Sequence, residues 1–367
     1  MTEATATVTG KIATIGYGAD GTTPGNTLRR ISFERDAPKS NEVLIDVLYC
    51  GVCHSDVHLL DDSWKATLYP CVPGHELVGR VKYAGDDVTK FKVGDLVGVG
   101  CMIDSCRTCS ACIEGEENHC EGPHGPTMTY NGYLYPNGSK YNTFGGYSNN
   151  VIVREEFVLR IPDGMDPART APLLCPGVAT YGPLKRFNFK PGDKIGIVGI
   201  GGPGHIAVML ANAMGAEVTA ITTHEAKREA ALQMGAKNVI VSTDESAMKR
   251  YARHFNHILV TIPNSYDVTP YLSLLRRKGT VTAMGMLGPY SRVLNNLSLA
   301  AQGLSLTGSM IGNIADSQEV LDFCAEHGIL PWVEVINIQD VNDAIERLKK
   351  ADVRFRFVID LSSLEVR

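Results

Sequence analysis

The chain has 367 residues, 44% of them hydrophobic and 20% charged, enough apolar content for a folded protein of about two domains at roughly 150 residues each. A formal net charge of −5 and the lack of any Lys/Arg-rich run give no support for a nucleic-acid partner or an anionic membrane surface. The opening "MTEATATVTG" has no basic or apolar leader character, and no segment reaches about 18 uninterrupted apolar residues, so secretion and membrane spanning are not expected. The expectation is therefore a cytoplasmic, reducing location, where clustered cysteines bind metal more often than they pair.

The first part of the chain carries "EVLIDVLYCG", "LVGRVKYAG", "GDLVGVGC" and "GYSNNVIV", short alternating runs punctuated by glycine, the pattern of an all-β barrel. Among them lie dispersed candidate ligands. "CGVCHSDVH" offers Cys53, Ser55, Asp56 and His58, "VPGHELVG" offers His75 and Glu76, and "APLLCPG" offers Cys175. Two thiolates and one imidazole would neutralise Zn2+ and leave a fourth position for water or substrate. Each piece taken alone is more often structural than a ligand. Asp56 is placed to accept the free ring N–H of His75 and so fix its tautomer.

Between them, "CRTCSACIEGEENHC" sets Cys106, Cys109, Cys112 and Cys120 in a C-x2-C-x2-C-x7-C spacing. Short spacers turn the chain tightly enough for four thiolates to enclose zinc at about 2.3 Å. With no open position such a site holds a loop in place and does no chemistry. An iron–sulfur cluster uses the same ligand count and stays an alternative; disulfides are opposed by the compartment. Cys50, Cys71, Cys101 and Cys324 read as small buried apolar residues.

Near "LRIPDGMDPARTAPLLCPG" β punctuation gives way to helix, and a domain boundary is expected there, with Cys175 at an interdomain cleft. Next comes "DKIGIVGIGGPGHIAVMLANAMGAEVTAITT", a strand, a glycine turn, a helix and a second strand. Gly199, Gly201 and Gly204 form G-x-G-x-x-G in the strand-to-helix context that binds a dinucleotide pyrophosphate at a helix N-terminus. Pro203 suits a first helical turn. Further runs, "KNVIVS", "HILVT", "GTVTAMGM" and "LSLTGSM", extend a doubly wound parallel sheet, and "FVIDLSS" is expected to return to the first domain.

About 20 residues past the glycine turn, an enzyme using the unphosphorylated cofactor places Asp or Glu against the ribose 2′-OH. Thr222 stands there instead. Thr222 and Thr223 offer hydrogen bonds to a 2′-phosphate, Lys227 offers charge and His224 can assist, so NADP(H) is expected. Glu225, in the same loop, is expected to serve the dipole of the following helix rather than the ribose.

Taken with "YPCVPGHELVGRV", "KVGDLVGVGCMIDSCRTCSAC", "TFGGYS", "APLLCPGVATY" and "DVRFRFVID", these stretches resemble the zinc-dependent medium-chain alcohol dehydrogenases, in the cinnamyl alcohol dehydrogenase/aldehyde reductase branch, over essentially the whole chain. The resemblance implies an α/β protein: a GroES-like β-barrel catalytic domain with a structural-zinc lobe (1–174), a doubly wound Rossmann NADP-binding domain (175–312) and a return to the catalytic domain (313–367). It implies a structural zinc on Cys106, Cys109, Cys112 and Cys120. A catalytic zinc falls on Cys53, His75 and Cys175, with Glu76 matching a carboxylate that takes the fourth position when substrate is absent.

By the same resemblance Ser55 and His58 match a proton relay, His54 and Arg354 lie near the cofactor pyrophosphate, and Trp64 lines the substrate pocket. The implied activity is reversible NADPH-dependent reduction of aromatic, cinnamyl-type or medium aliphatic aldehydes to primary alcohols, in a homodimer. Reduction of a conjugated iminium or alkene is the alternative within the branch. A non-catalytic, zinc-stabilised nucleotide-binding protein is disfavoured, since all three ligands and the relay pair are present. Two residues depart from the pattern, Pro176 where Ala is common and Pro203 where Leu is usual, and neither removes a ligand or a glycine.

Overall fold

The computed structural model describes residues 10–21, 27–285 and 289–365. Two compact units are formed: Met1–Cys175 with Asn313–Ala325 and Leu330–Arg367, and Pro176–Gly312 with Glu326–Ile329. No helix among the described residues is long and apolar enough to cross a membrane.

The first unit is built on a seven-stranded sheet whose central members are Arg356–Asp360, Glu42–Val52, Leu77–Ala84 and Leu96–Val99. Glu42–Val52 pairs antiparallel with Arg356–Asp360, Leu77–Ala84 and Asn150–Arg154. Val43, Leu44, Ile45, Val47 and Val52 of that strand are buried, and so are Phe357, Val358 and Ile359 beside it. Burying each such side chain contributes roughly 1.5–3 kcal/mol. The C-terminal stretch thus returns to the first unit because its β-rich, apolar sequence completes this sheet.

The second unit carries a six-stranded, all-parallel sheet in the order Asn238–Val241, Glu217–Thr222, Lys194–Val198, Phe255–Val260, Leu275–Met284 and Ser305–Ser309. Near-continuous apolar runs are what a strand covered on both faces needs, and Ile195, Ile197, Val198, Ile258, Leu259 and Val260 are all buried. The order reverses between Lys194–Val198 and Phe255–Val260, the point at which such sheets open a crevice at their carboxyl ends. Gly199 leaves the first of these strands there with φ of +87°, a conformation open to glycine. A β-carbon on Gly204 would lie 1.8 Å from the Gly199 carbonyl oxygen, so glycine is required where helix Gly202–Ala213 crosses the strand end.

Gly204→Ala is therefore expected to destabilise the second unit by about 3 kcal/mol, because backbone rather than a flexible side chain must move. Urea unfolding checks this, and a loss below about 0.5 kcal/mol would contradict it.

Candidate metal and cofactor sites

The dispersed ligands converge within the first unit. Donor atoms of Cys53, His75, Glu76 and Cys175 all lie within 4.8 Å of one another. Cys53 ends strand Glu42–Val52 and caps helix His54–Leu60. His75 and Glu76 immediately precede strand Leu77–Ala84, after a turn at Gly74 with φ of +102°. Cys175 follows the 3-10 turn Ala171–Leu174. A tetrahedron with metal–ligand bonds near 2.0–2.3 Å has edges of roughly 3.3–3.8 Å, which this cluster can reach by small side-chain movements.

His75 Nε2 is 3.2 Å from Cys175 Sγ, so that nitrogen faces the thiols. The other, Nδ1, is buried without a hydrogen bond and faces Asp56 Oδ1 at 3.4 Å, slightly long for one. This fixes the orientation expected from the sequence, with Asp56 behind the imidazole. A hydrogen bond from the Cys175 thiol holds Cys53 well below its ordinary pKa, and burial opposes it. Cys175 is pushed up, first by its hydrogen bond with Cys101 and then by that with Cys53. A thiol pair that shares its protons in this way suits a dication that displaces them.

Glu76 is completely buried, and burial pushes its carboxyl upward against the pull of Arg356. Arg356 Nη2 donates to Glu76 Oε1, while Oε2 has no hydrogen-bond partner. Gly51 makes room for this carboxylate, since a β-carbon there would sit 1.9 Å from Oε2.

Ser55 and His58 share a half-buried face of helix His54–Leu60, three residues apart, and Ser55 Oγ is 3.7 Å from Cys53 Sγ. The Trp64 ring centroid lies 5.4 Å from that of His58. His54 is partly buried, and desolvation lowers its pKa. Arg354 is exposed, with its guanidinium 5.2 Å from the Trp332 ring centre. Arg356, two residues on, is the arginine that reaches the ligand cluster.

In the lobe, Cys106, Cys109, Cys112 and Cys120 form a second group within the same 4.8 Å limit, and Cys106 Sγ and Cys112 Sγ stand 3.9 Å apart. Backbone N–H groups point at the sulfurs: Cys109 N–H donates to Cys106 Sγ at 3.4 Å, Glu121 N–H to Cys109 Sγ at 3.3 Å and Gly122 N–H to Cys120 Sγ at 3.4 Å. Backbone donors at Thr108 and Cys109 bring Cys106 down to about 6. All ten cysteines are free thiols.

In the second unit, Gly201 precedes helix Gly202–Ala213, and no side chain caps the helix start. A β-carbon on Gly201 would meet nothing within 4 Å, which leaves an open cradle in front of unclaimed N–H groups, fit for a pyrophosphate. Thr222 closes strand Glu217–Thr222 and is buried, its Oγ1 accepting from His224 N–H at 3.3 Å. Thr223 and His224 are exposed and Lys227 is partly buried. Glu225 is engaged by Arg228, whose Nη2 donates to its Oε2 at 3.0 Å.

Sequence reading missed two residues at the first cluster. Arg356, which pairs with Glu76, and Tyr147, which reaches Asp56, both lie in motifs to which the sequence assigned no role at the cluster. The stretches themselves, "DVRFRFVID" and "TFGGYS", were the signal in each case.

A β-rich unit with a two-cysteine, one-histidine cluster and a four-cysteine lobe, joined in one chain to a dinucleotide-type sheet, defines a zinc-type dehydrogenase. Comparison with known proteins agrees. Residues 39–163 match the alcohol dehydrogenase GroES-like domain and residues 202–326 the zinc-binding dehydrogenase family. Aldehyde reductase YahK of Escherichia coli (strain K12) is 45% identical over 92% of this chain and 95% of its own length. A cinnamyl alcohol dehydrogenase of Sorghum bicolor superposes with a TM-score of 0.90 at 40% identity, covering 96% of this chain and 98% of that one. The Helicobacter pylori CAD complexed with NADP(H) gives 0.88 at 36%, covering 96% and 99%. The chain belongs to the zinc-binding alcohol dehydrogenases, in the cinnamyl alcohol dehydrogenase/aldehyde reductase branch.

The two sulfur clusters share no residue, so Cys175→Ala is expected to remove one of two zinc equivalents while the lobe keeps the other and the chain stays folded. Metal analysis with circular dichroism reads this. Loss of both equivalents, or of neither, would contradict the separation.

Proposed function

We propose that this chain is a zinc-dependent, NADP(H)-dependent alcohol dehydrogenase that reversibly reduces aldehydes, aromatic or medium aliphatic, to primary alcohols. The observation that carries the reading is the convergence of Cys53, His75, Glu76 and Cys175 from three separate stretches into one buried cluster. When bound, zinc supplies Lewis-acid polarisation of a carbonyl oxygen and the reduced nicotinamide supplies hydride.

Cys53, His75 and Cys175 hold the zinc, and Glu76, steered by Arg356, is the carboxylate beside it. Ser55 Oγ gives a proton to the nascent alkoxide, and His58, on the same helix face, restores it from solvent. Trp64, packed by His58, supplies a flat apolar wall for an aldehyde. The four lobe cysteines hold a second, structural zinc. In the second unit, Gly199, Gly201 and Gly204 admit the NADP(H) pyrophosphate. Thr222, Thr223, His224 and Lys227 receive the 2′-phosphate, and His54 is assigned to the cofactor by the resemblance. Arg354, its guanidinium 5.2 Å from the Trp332 ring centre, is assigned to the cofactor pyrophosphate by the resemblance.

A homodimer fits the second unit. Ser305–Ser309 is an edge strand paired on one side only, and Val293 and Leu297 are 95% and 69% exposed. A cytoplasmic location accords with ten free cysteines.

The function is tested by screening aldehydes, iminium compounds and enones with both reduced nicotinamides and identifying products. Aldehydes are expected to turn over with NADPH; turnover of no carbonyl would sink the reading. Lys227→Ala is expected to raise the KM for NADPH roughly tenfold with little change for NADH, and Thr222→Asp to shift preference toward NADH. Wild-type protein with equal or higher kcat/KM for NADH would overturn the assignment of this loop.

A further inference from the structure

The "TFGGYS" stretch has no part in the function so far, yet it packs against the turn that carries His75. Gly145 N–H donates to Val72 O at 2.8 Å, Gly146 N–H to Gly74 O at 2.9 Å and Tyr147 N–H to Pro73 O at 3.0 Å. Glycine is needed for this approach. A β-carbon on Gly145 would lie 2.3 Å from Gly74 O, and one on Gly146 would lie 2.1 Å from a Leu77 methyl carbon. From this clamp Tyr147, with no exposed surface, projects its hydroxyl to Asp56 Oδ2 at 3.1 Å.

Asp56 is itself fully buried. Its Oδ2 also accepts Cys53 N–H at 2.8 Å, and its Oδ1 accepts Gly74 N–H at 3.1 Å while facing His75 Nδ1 at 3.4 Å. The two backbone donors approach from the two ligand stretches themselves. Tyr147 adds a side-chain donor to Oδ2 from a third stretch and so helps to fix the carboxylate's orientation.

We propose that Tyr147 is a positioning residue for the catalytic zinc: through Asp56 it holds His75 with Nδ1 protonated and Nε2 free to ligate. The inference rests on the reading of Cys53, His75 and Cys175 as zinc ligands. With the hydroxyl removed, the carboxylate turns more freely, His75 samples both tautomers, and the metal is held less tightly at that site only. Outer partners of a metal-ligating histidine are generally worth about 10–100-fold in metal affinity or activity.

The test is chelator-driven release of zinc from wild type, Tyr147→Phe, Asp56→Asn and the double variant, with the two zincs resolved kinetically and thermal unfolding recorded alongside. Tyr147→Phe is expected to release the cluster zinc about tenfold faster with the lobe zinc unchanged, and to shift the visible spectrum of a cobalt-substituted cluster. In the Asp56→Asn background the same change is expected to add less than about twofold, because the two residues act as one unit. Unchanged release, equal acceleration of both zincs, or full additivity would overturn the positioning role and leave the ligand assignment standing. A wild-type chain that holds only the lobe zinc would overturn the ligand assignment and this inference with it.

Discussion

The buried carboxylate of Asp56 is the constraint on which the rest of the first unit's site depends. A charge without solvent must be surrounded by donors, and it finds N–H groups of Cys53 and Gly74 and the Tyr147 hydroxyl, with the His75 ring facing it at 3.4 Å. Those donors belong to three stretches far apart in sequence. Satisfying one carboxylate therefore brings the Cys53 and His75 segments into register and orients the imidazole, before any metal is considered.

Charge balance sets the other side of the cluster. Two thiolates neutralise a dication, and a further carboxylate would leave an excess negative charge in a dry site. Arg356 removes that excess by pairing with Glu76. The strand that carries Arg356 belongs to the C-terminal return of the chain, so that return supplies both sheet pairing and electrostatic compensation. In the second unit the same economy of charge runs in reverse. The strand end offers Thr222 in place of an acid, and the nearby acid, Glu225, is occupied by Arg228.

Much of this was legible in the sequence, for identifiable reasons. Cys106 to Cys120 could be read because their ligand geometry is local, fixed by short spacers. The parallel sheet could be read because strands covered on both faces need continuous apolar runs, and "KIGIVGI" and "HILVT" are such runs. Cys53, His75 and Cys175 were recognisable only together, since no single stretch contains the site. The inward turn of Arg356 was not legible. Phe355 has φ of +80°, so the backbone breaks strand alternation between Arg354 and Arg356, sending one arginine outward and the other into the cluster. No composition or spacing signals that turn.

The central claim, that one chain holds a catalytic and a structural zinc in separate clusters, is tested most directly by anomalous diffraction at the zinc edge from crystals of the wild-type protein. The account predicts two peaks per chain, one within about 2.3 Å of Cys53 Sγ and Cys175 Sγ with His75 Nε2 at about 2.0 Å, the other centred on the four lobe sulfurs. A single peak at the lobe, or a signal that appears at the iron edge instead, would contradict it.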